Sequence, residues 1–541
     1  MPNLLKNINT EIIVVFLLYL AFLSIGIISY KDFGISVDEW ELRLHGFTNF
    51  IYIYEFLFQK TPIGLLSNEL IPKLSDYFGT HGPVFNLFTA FIEFFFKIED
   101  SRNYYLMRHY INNLIFIIGN FYFYLLVKQR FNNWSYGLLG SIFLFFSPRI
   151  FAESFYNHKD IVFLSFFIIC LYYGILFYKA QTYKNIILFS FFTALAIDIR
   201  IMGIVIVPII IFFTYENHIE KNKKIILYIS IFLILLSLFT IIFWPYLWNS
   251  PLINFYKVFK TFSDFGHEGY NFYLGSYHLS SNPPWHYIFV WILITTPVLY
   301  LFLFFCGFTL YTLKIFSNIK KYISNNIFKQ LWDDGTNGED FIYYILFILP
   351  IFIVIILNST LYTGWRHLFF IYPCFLIISI KGIHYIKNKY FRDKNLLISS
   401  LLALFIGQII FGMFNYHPHQ NVYFNMLAGN KVEKLFELDY WGLSNKQAFE
   451  YILENDKREI IKVGSAGPIS LENSKKILTL QDRSRILITT NLESDYIINN
   501  YIDWNGDYKK KRYNIPSNFS VYKKIYAHKQ IVSSIYKNEK N

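Results

Sequence analysis

Cysteine is scarce in this sequence. There are three in 541 residues, Cys170, Cys306 and Cys374, each inside an apolar run, and no CxxC pair exists. That excludes a disulfide framework or a cysteine-built zinc cluster as the organising principle. Charge is scarce too: Asp, Glu, Lys and Arg make up 16% of the chain, against about 25% in soluble domains. No internal repeat is visible. No small-x-small cleavage site follows the first apolar run, residues 11–30; that run is also too long for a removable signal peptide and reads as a signal anchor. Hydrophobic sequence fills the chain instead, at 54% of residues and a mean hydropathy of +0.34. The chain therefore reads as a polytopic membrane protein.

Apolar segments near 11–30, 109–127, 134–148, 161–178, 185–199, 201–214, 224–243, 286–311, 341–357, 367–380 and 395–413 are spanning candidates, eleven in all. A twelfth run, 83–97, has 15 residues, or about 22 Å as a helix, short of a ~30 Å hydrocarbon core. The net charge of +12 is informative through its placement, because Lys and Arg favour cytoplasmic loops. It is not a sign of nucleic-acid binding. If 83–97 lies in the interface, the clusters Lys128/Arg130, Lys179/Lys184, Lys221/Lys223/Lys224, Lys314/Lys320/Lys321/Lys329 and Lys381/Lys387/Lys389/Arg392/Lys394 share one side with Lys6. If it spans, every cluster moves outside. The first arrangement obeys the rule, so 83–97 is expected to be an interfacial helix. The segment 41–58, mixed polar and aromatic, is a second candidate. The N-terminus is then cytoplasmic. Residues 31–108, 149–160, the turn near Arg200, 244–285, 358–366 and everything after 414 are extracytoplasmic, while 313–340 is a hydrophilic cytoplasmic insert.

After 414 long apolar runs vanish. "SNKQAFEYILEND" has helical periodicity, and "REIIKVGS", "RILITT", "DYIINNY" and "FSVYKKIY" read as strands. Two domains are expected: 1–414 in the membrane, and 415–541 as a small extracytoplasmic α/β domain.

The polar residues placed outside form an ensemble. It contains Asp38 and Glu39 after the first span, His81 in "THGPVF", and Arg108 in "MRHY". Arg149, Glu153, Asn157, His158, Lys159 and Asp160 come from "SPRIFAESFYNHKD", and Asp198 and Arg200 from "AIDIRIMG". His267 and Glu268 lie in "SDFGHEGY", and Arg366 and His367 in "GWRHLFF". Any one of these can be a solvated or snorkelling side chain. Together, ionisable groups at the ends of several spans point to a cavity. Arginines beside carboxylates suit an anionic phosphate next to a general base.

The order of "VDEW", "THGPVF", "MRHYINN", "SPRIFAESFYNHKDIVFLSFF", "WPYLW", "NPPWHY" and "GWRHLFFIYP" resembles the GT-C superfamily of membrane glycosyltransferases. Within it, the pattern is similar to the protein O-mannosyltransferase and aminoarabinose transferase group. The resemblance covers roughly residues 10–425. It implies a GT-C fold with interfacial helices, and a sugar moved with inversion from a polyprenyl-phosphate carrier to a protein, lipid or envelope-glycan acceptor. It implies residence in the inner (plasma) membrane with an extracytoplasmic active site. It makes Asp38 the general base, Glu39 its support or an acceptor-binding residue, and Asp160 the second acidic residue. Arg108 sits where the group has an arginine at the start of the second span, and guanidinium chemistry independently makes some of Arg108, Arg200 and Arg366 expected ligands of the donor phosphate. From the ensemble itself, His81, Glu153, Lys159, His267, Glu268 and His367 are expected pocket or acceptor residues. A divalent metal is left open. One departure is that the group's Pro-Pro or Lys-Pro-Pro near "THGPVF" is reduced to Pro83. Two other readings stand beside this one. "AIDIRIMG" within an apolar stretch suits a transporter of an anionic or lipid-linked substrate, and "DYWGLS" (439–444) resembles, imperfectly, the signature of an oligosaccharyltransferase catalytic subunit.

Overall fold

A computed structural model describes residues 2–60, 62, 71–75, 79–219, 222–263, 266, 269–325, 337–502 and 515–539. The architecture is a bundle of apolar helices with a small sheet at the C-terminal end of the chain. Among the described residues nine helices are long and apolar enough to cross a membrane, or ten if the bent pair Trp134–Phe145 and Pro148–Tyr156 is one span. The remaining expected segment is the 17-residue helix Tyr183–Ile199. Every one of the eleven apolar segments read from the sequence thus carries a helix. Val84–Phe95 has 12 residues, about 18 Å, too short to cross. Residues Glu39–Phe58 form one helix.

Local chemistry sets the helix ends. Asp100 accepts from the backbone nitrogens of Arg102 (3.0 Å) and Asn103 (3.3 Å), capping the 31-residue helix Ser101–Phe131. That helix is about 46 Å long, roughly 16 Å more than the hydrocarbon core. Its first turns, with Arg108 and His109, therefore lie toward one boundary when its basic end, Lys128 and Arg130, lies at the other. Two expected spans are broken. Ser147-Pro148 bends one by 67°. Pro297 splits 286–311 into Tyr287–Thr295 and Val298–Asn325, because proline supplies no amide donor. Asn425 compensates: its Nδ2 donates to the carbonyls of Leu293 (2.7 Å) and Thr296 (2.6 Å). The insert expected over 313–340 is helical up to Asn325 and again from Asn337.

Asp160–Lys179 and Arg366–Tyr390 are the core of the bundle, each 78% buried, whereas Asn395–Tyr416 is 6% buried and lies at its edge. One end of the bundle is tied by the ion pairs Lys128–Glu11, Arg130–Asp340, Lys179–Glu339 and Lys381–Asp340. The opposite end holds the N-terminus of Asp160–Lys179, the C-terminus of Tyr183–Ile199 and the loop after Pro2–Ser29.

The C-terminal sheet has the order β4-β3-β5-β7-β6. It comprises β3 Ile461–Ser465, β4 Ile486–Ile488, β5 Tyr496–Asn500, β6 Phe519–Ala527 and β7 Gln530–Asn538. β3 runs parallel to β4 and β5, while β7 is antiparallel to β5 and β6. The expected helix is Ser444–Asn455. Two features went unread in the sequence: β7, and the hairpin β1 Tyr270–Tyr273 with β2 Ser276–Leu279. The hairpin turns on Leu274 (φ 51°) and Gly275 (φ 79°). Both residues have positive φ, the geometry of a tight two-residue loop.

Candidate active site

Four segments distant in sequence meet at the end of the bundle opposite those ion pairs. Asp38 precedes helix Glu39–Phe58, Asp160 opens its helix, Arg200 follows Ile199, and Arg366 opens a short 3₁₀ turn. Arg366 Nη1 lies 3.0 Å from Asp38 Oδ2 and 3.4 Å from Asp160 Oδ2. Arg200 Nη2 pairs with Asp160 Oδ1. The two carboxylates differ in exposure: the Asp38 side chain is 41% exposed and that of Asp160 1%.

The turn before Asp160 is built by Asn157. Its Oδ1 accepts from the backbone nitrogen of Asp160 (2.9 Å), and its Nδ2 donates to Asp160 Oδ2 (2.9 Å) and Glu153 Oε2 (2.7 Å). Tyr440 donates its hydroxyl to Glu153 Oε1 at 3.1 Å. Arg366 lies over the rings of Trp441 (4.6 Å) and Tyr362 (5.0 Å), and His367 meets Tyr362 edge-on at 4.6 Å. The Nε atoms of Arg200 and Arg366 are buried with no hydrogen-bond partner among the described residues. Each guanidinium thus holds a carboxylate and keeps a donor in reserve. Lys159 adjoins them. Loss of water around its ammonium, then repulsion from Arg200, bring its pKa down to about 7 against the pull of Asp160 and Asp38.

Asp198 fixes the "THGPVF" segment. Its Oδ1 accepts from the backbone nitrogen of Val84 at 2.9 Å, at the start of helix Val84–Phe95. A Cβ at Gly82 would sit 1.7 Å from the Asp198 carbonyl oxygen, so only glycine allows this approach. His81 follows that chain. Its carbonyl accepts from His45 Nε2 (2.8 Å) and its ring packs on Phe262 (5.1 Å).

Two expected site residues are placed elsewhere. Glu39 is fully buried and turned away from Asp38. It accepts from the backbone nitrogen of Ser36 (2.6 Å) and pairs with His109 Nε2 (2.9 Å). Burial, then the neighbouring Arg108, lower the pKa of His158, which lies 3.4 Å from Glu39, well below the ordinary imidazole range. Glu39 anchors the start of its helix, with both carboxylate oxygens engaged by Ser36 and His109. Arg108, expected at the donor phosphate, is also fully buried. It donates to Thr89 Oγ1 (2.7 Å) and pairs with Glu93 Oε2 (3.2 Å), and Glu93 also pairs with Arg43 at 2.5 Å. This core ion cluster was not read from the sequence, although Glu93 in a short apolar helix was its signal. His267 and Glu268 lie outside the described residues.

The divalent metal left open by the resemblance does not fit this arrangement. The two acids that converge, Asp38 and Asp160, share Arg366, and Asp160 also holds Arg200. Among the described residues no three His, Cys, Asp or Glu side chains converge as ligands.

No curated protein matches the chain. Among solved structures it is similar to the archaeal oligosaccharyltransferase AglB of Archaeoglobus fulgidus in complex with an inhibitory peptide and a dolichol-phosphate. That match has 10% identity and a TM-score of 0.43, and covers 89% of this chain and 69% of that one. It is also similar to ArnT of Cupriavidus metallidurans bound to undecaprenyl phosphate, with 9% identity and a TM-score of 0.43 over 96% of this chain and 97% of that one. Residues 80–244 match the family described as dolichyl-phosphate-mannose-protein mannosyltransferase. That stretch carries His81, Arg108, Glu153, Lys159, Asp160 and Arg200. Over residues 80–244 the chain thus resembles the family of dolichyl-phosphate-mannose-protein mannosyltransferases.

Proposed function

We propose that the protein is an inverting glycosyltransferase. It moves a sugar from a polyprenyl-phosphate carrier to a hydroxyl acceptor at the extracytoplasmic face of the inner membrane. The observation that carries the reading is the half-exposed Asp38 carboxylate held on the same guanidinium as the buried Asp160. Arg366 and Arg200, each with a spare Nε donor, receive the carrier phosphate. Lys159 adds charge when protonated. Asp160 fixes the two arginines. Asp38 takes the acceptor's proton as its oxygen attacks the anomeric carbon. The bond from that carbon to the phosphate oxygen breaks, and the lipid phosphate leaves onto the arginines. Glu153 and His367 shape the surroundings of this pair, with the helical region 1–414 as the catalytic part and 415–541 as an extracytoplasmic α/β part. Protein in lipid nanodiscs, given labelled polyprenyl-phosphate sugar and candidate acceptors, should cleave the carrier bond and give a product of inverted anomeric configuration by NMR. Movement of the intact carrier across a vesicle membrane without cleavage would instead identify a transporter.

A further inference from the structure

Arg366 meets Asp38 and Asp160 through one atom, Nη1. Contacts at one corner of a planar group leave its plane free to swing, and with it the direction of the spare Nε. Something else must set that plane. The face of Trp441, 4.6 Å from the guanidinium centre, is the nearer of the two rings that do so, with Tyr362 at 5.0 Å. Trp441 is 2% exposed, and its Nε1 has no partner among the described residues, so what the ring contributes is its face.

The same residue also reaches the loop of the proposed base. The Trp441 carbonyl accepts from the backbone nitrogen of Val37 at 3.1 Å, one residue before Asp38. Three residues earlier, a Cβ at Gly34 would lie 2.6 Å from the Leu443 carbonyl oxygen, so the two chains run in backbone contact. The segment holding Trp441 is in turn clamped by the C-terminal sheet. Leu438 donates its backbone N–H to Ile502 (2.9 Å), and Asn500, the last residue of β5, donates its Nδ2 to the Asp439 carbonyl (2.9 Å). Asp439, fully buried, accepts from the backbone nitrogen of Ser444 at 2.9 Å.

We infer that Trp441 is a positioning residue for Arg366, and that the sheet acts on the reaction site through the Asp439–Ser444 segment. This rests on the reading of Arg366 as a ligand of the carrier phosphate. It gives the C-terminal region a task in the chemistry although it contributes no reacting group.

The test uses the full chain in nanodiscs and undecaprenyl phosphate as the probe. Trp441→Leu should weaken its binding about 5- to 20-fold, the range of a desolvated cation–π contact. Trp441→Phe, which keeps an aromatic face, should stay within about threefold of wild type. In an Arg366→Lys background the Trp441→Leu step should change binding less than about twofold, because an ammonium has no plane for the ring to set. Asn500→Ala, outside the site, should weaken binding in wild type and not in Arg366→Lys; it decides the matter if Trp441→Leu does not fold. Equal losses for Leu and Phe, or the same penalty in both backgrounds, overturn the inference and reduce Trp441 to a packing residue. A wild-type protein that shows the coupling but transfers no sugar overturns the functional reading and leaves this inference standing. One that binds no lipid phosphate overturns both.

Discussion

Replacing Arg366 by lysine is the sharpest test of how the phosphate is held. Arg366 is 5% exposed and serves two carboxylates with Nη1 while its Nε remains unpaired. A lysine keeps the charge, but its single ammonium cannot sit on both acids and also present a donor on another side. The variant therefore forfeits at least one charge-assisted hydrogen bond to the phosphate, worth about 1.5–3 kcal/mol. That is roughly a 10- to 150-fold weaker complex. The fold should survive: Asp160 keeps Arg200 and Asn157, and Asp38 is 41% exposed and can turn to water. The assay is equilibrium binding of undecaprenyl phosphate to protein in nanodiscs, with a melting curve as control. If Arg366→Lys binds within twofold of wild type while melting normally, the guanidinium does not hold the phosphate and the site has been misread.

Asp38→Asn keeps shape and removes the base. Turnover should fall by at least ~10²-fold with lipid-phosphate affinity retained, as measured by sugar transfer beside binding; normal turnover would move the base to Asp160. Lys159, with its pKa near 7, is a cation only below that value. Affinity for the lipid phosphate should therefore decline as pH rises through 7, and Lys159→Gln should flatten the profile. The sign for stability is the reverse. The unfolded lysine keeps its proton to about pH 10.4, so this group's contribution to stability rises with pH from 7 to about 10.4. Glu93→Gln leaves Arg43 and Arg108 buried without their carboxylate, which should cost about 3–5 kcal/mol in denaturant unfolding; an unchanged midpoint would show that the cluster is solvated. A reporter fused at residue 430 should be extracytoplasmic, and a cytoplasmic signal there would overturn the orientation drawn from the lysine-rich loops.

The helices were legible because each is an apolar run about as long as the bilayer is thick, and the sequence shows that directly. Their breaks were less so. Ser147-Pro148 and Thr296-Pro297 interrupt runs whose composition is continuous, and proline's missing donor decides the break where hydropathy does not. Hairpin β1–β2 escaped because Leu274-Gly275 is not a familiar pair for a two-residue loop. In the site, Asp38, Asp160, Arg200 and Arg366 were each visible as a charge at the end of an apolar segment. Glu39 and Arg108 carried the same signal, yet they face the core and pair with His109 and Glu93. Sequence gives the end of a helix on which a charge sits, but not the side of the helix it faces. Tyr440 and Trp441 stood in the "DYWGLS" stretch noticed for its resemblance to an oligosaccharyltransferase signature, but nothing in the sequence joined that stretch to Arg366, more than seventy residues earlier, because a partner supplied by a distant loop leaves no periodic trace.

The division of labour between the two acids follows from what surrounds them. Asp160 is held on three sides, by Arg200, Arg366 and Asn157, and is almost inaccessible. An acid so engaged is a poorer base than Asp38 and is suited to holding its partners in place. Asp38 has one strong partner, Arg366, and an open side. In the proposed reaction the carrier phosphate competes for that same guanidinium. When the phosphate arrives, Arg366 turns part of its charge toward it and Asp38 loses its counter-ion, with the open side facing the acceptor. When the sugar has left, the phosphate carries one more negative charge and draws Arg366 further. The base is thus released by the donor that needs it, and Asp160 keeps the arginines from following the phosphate out of the site.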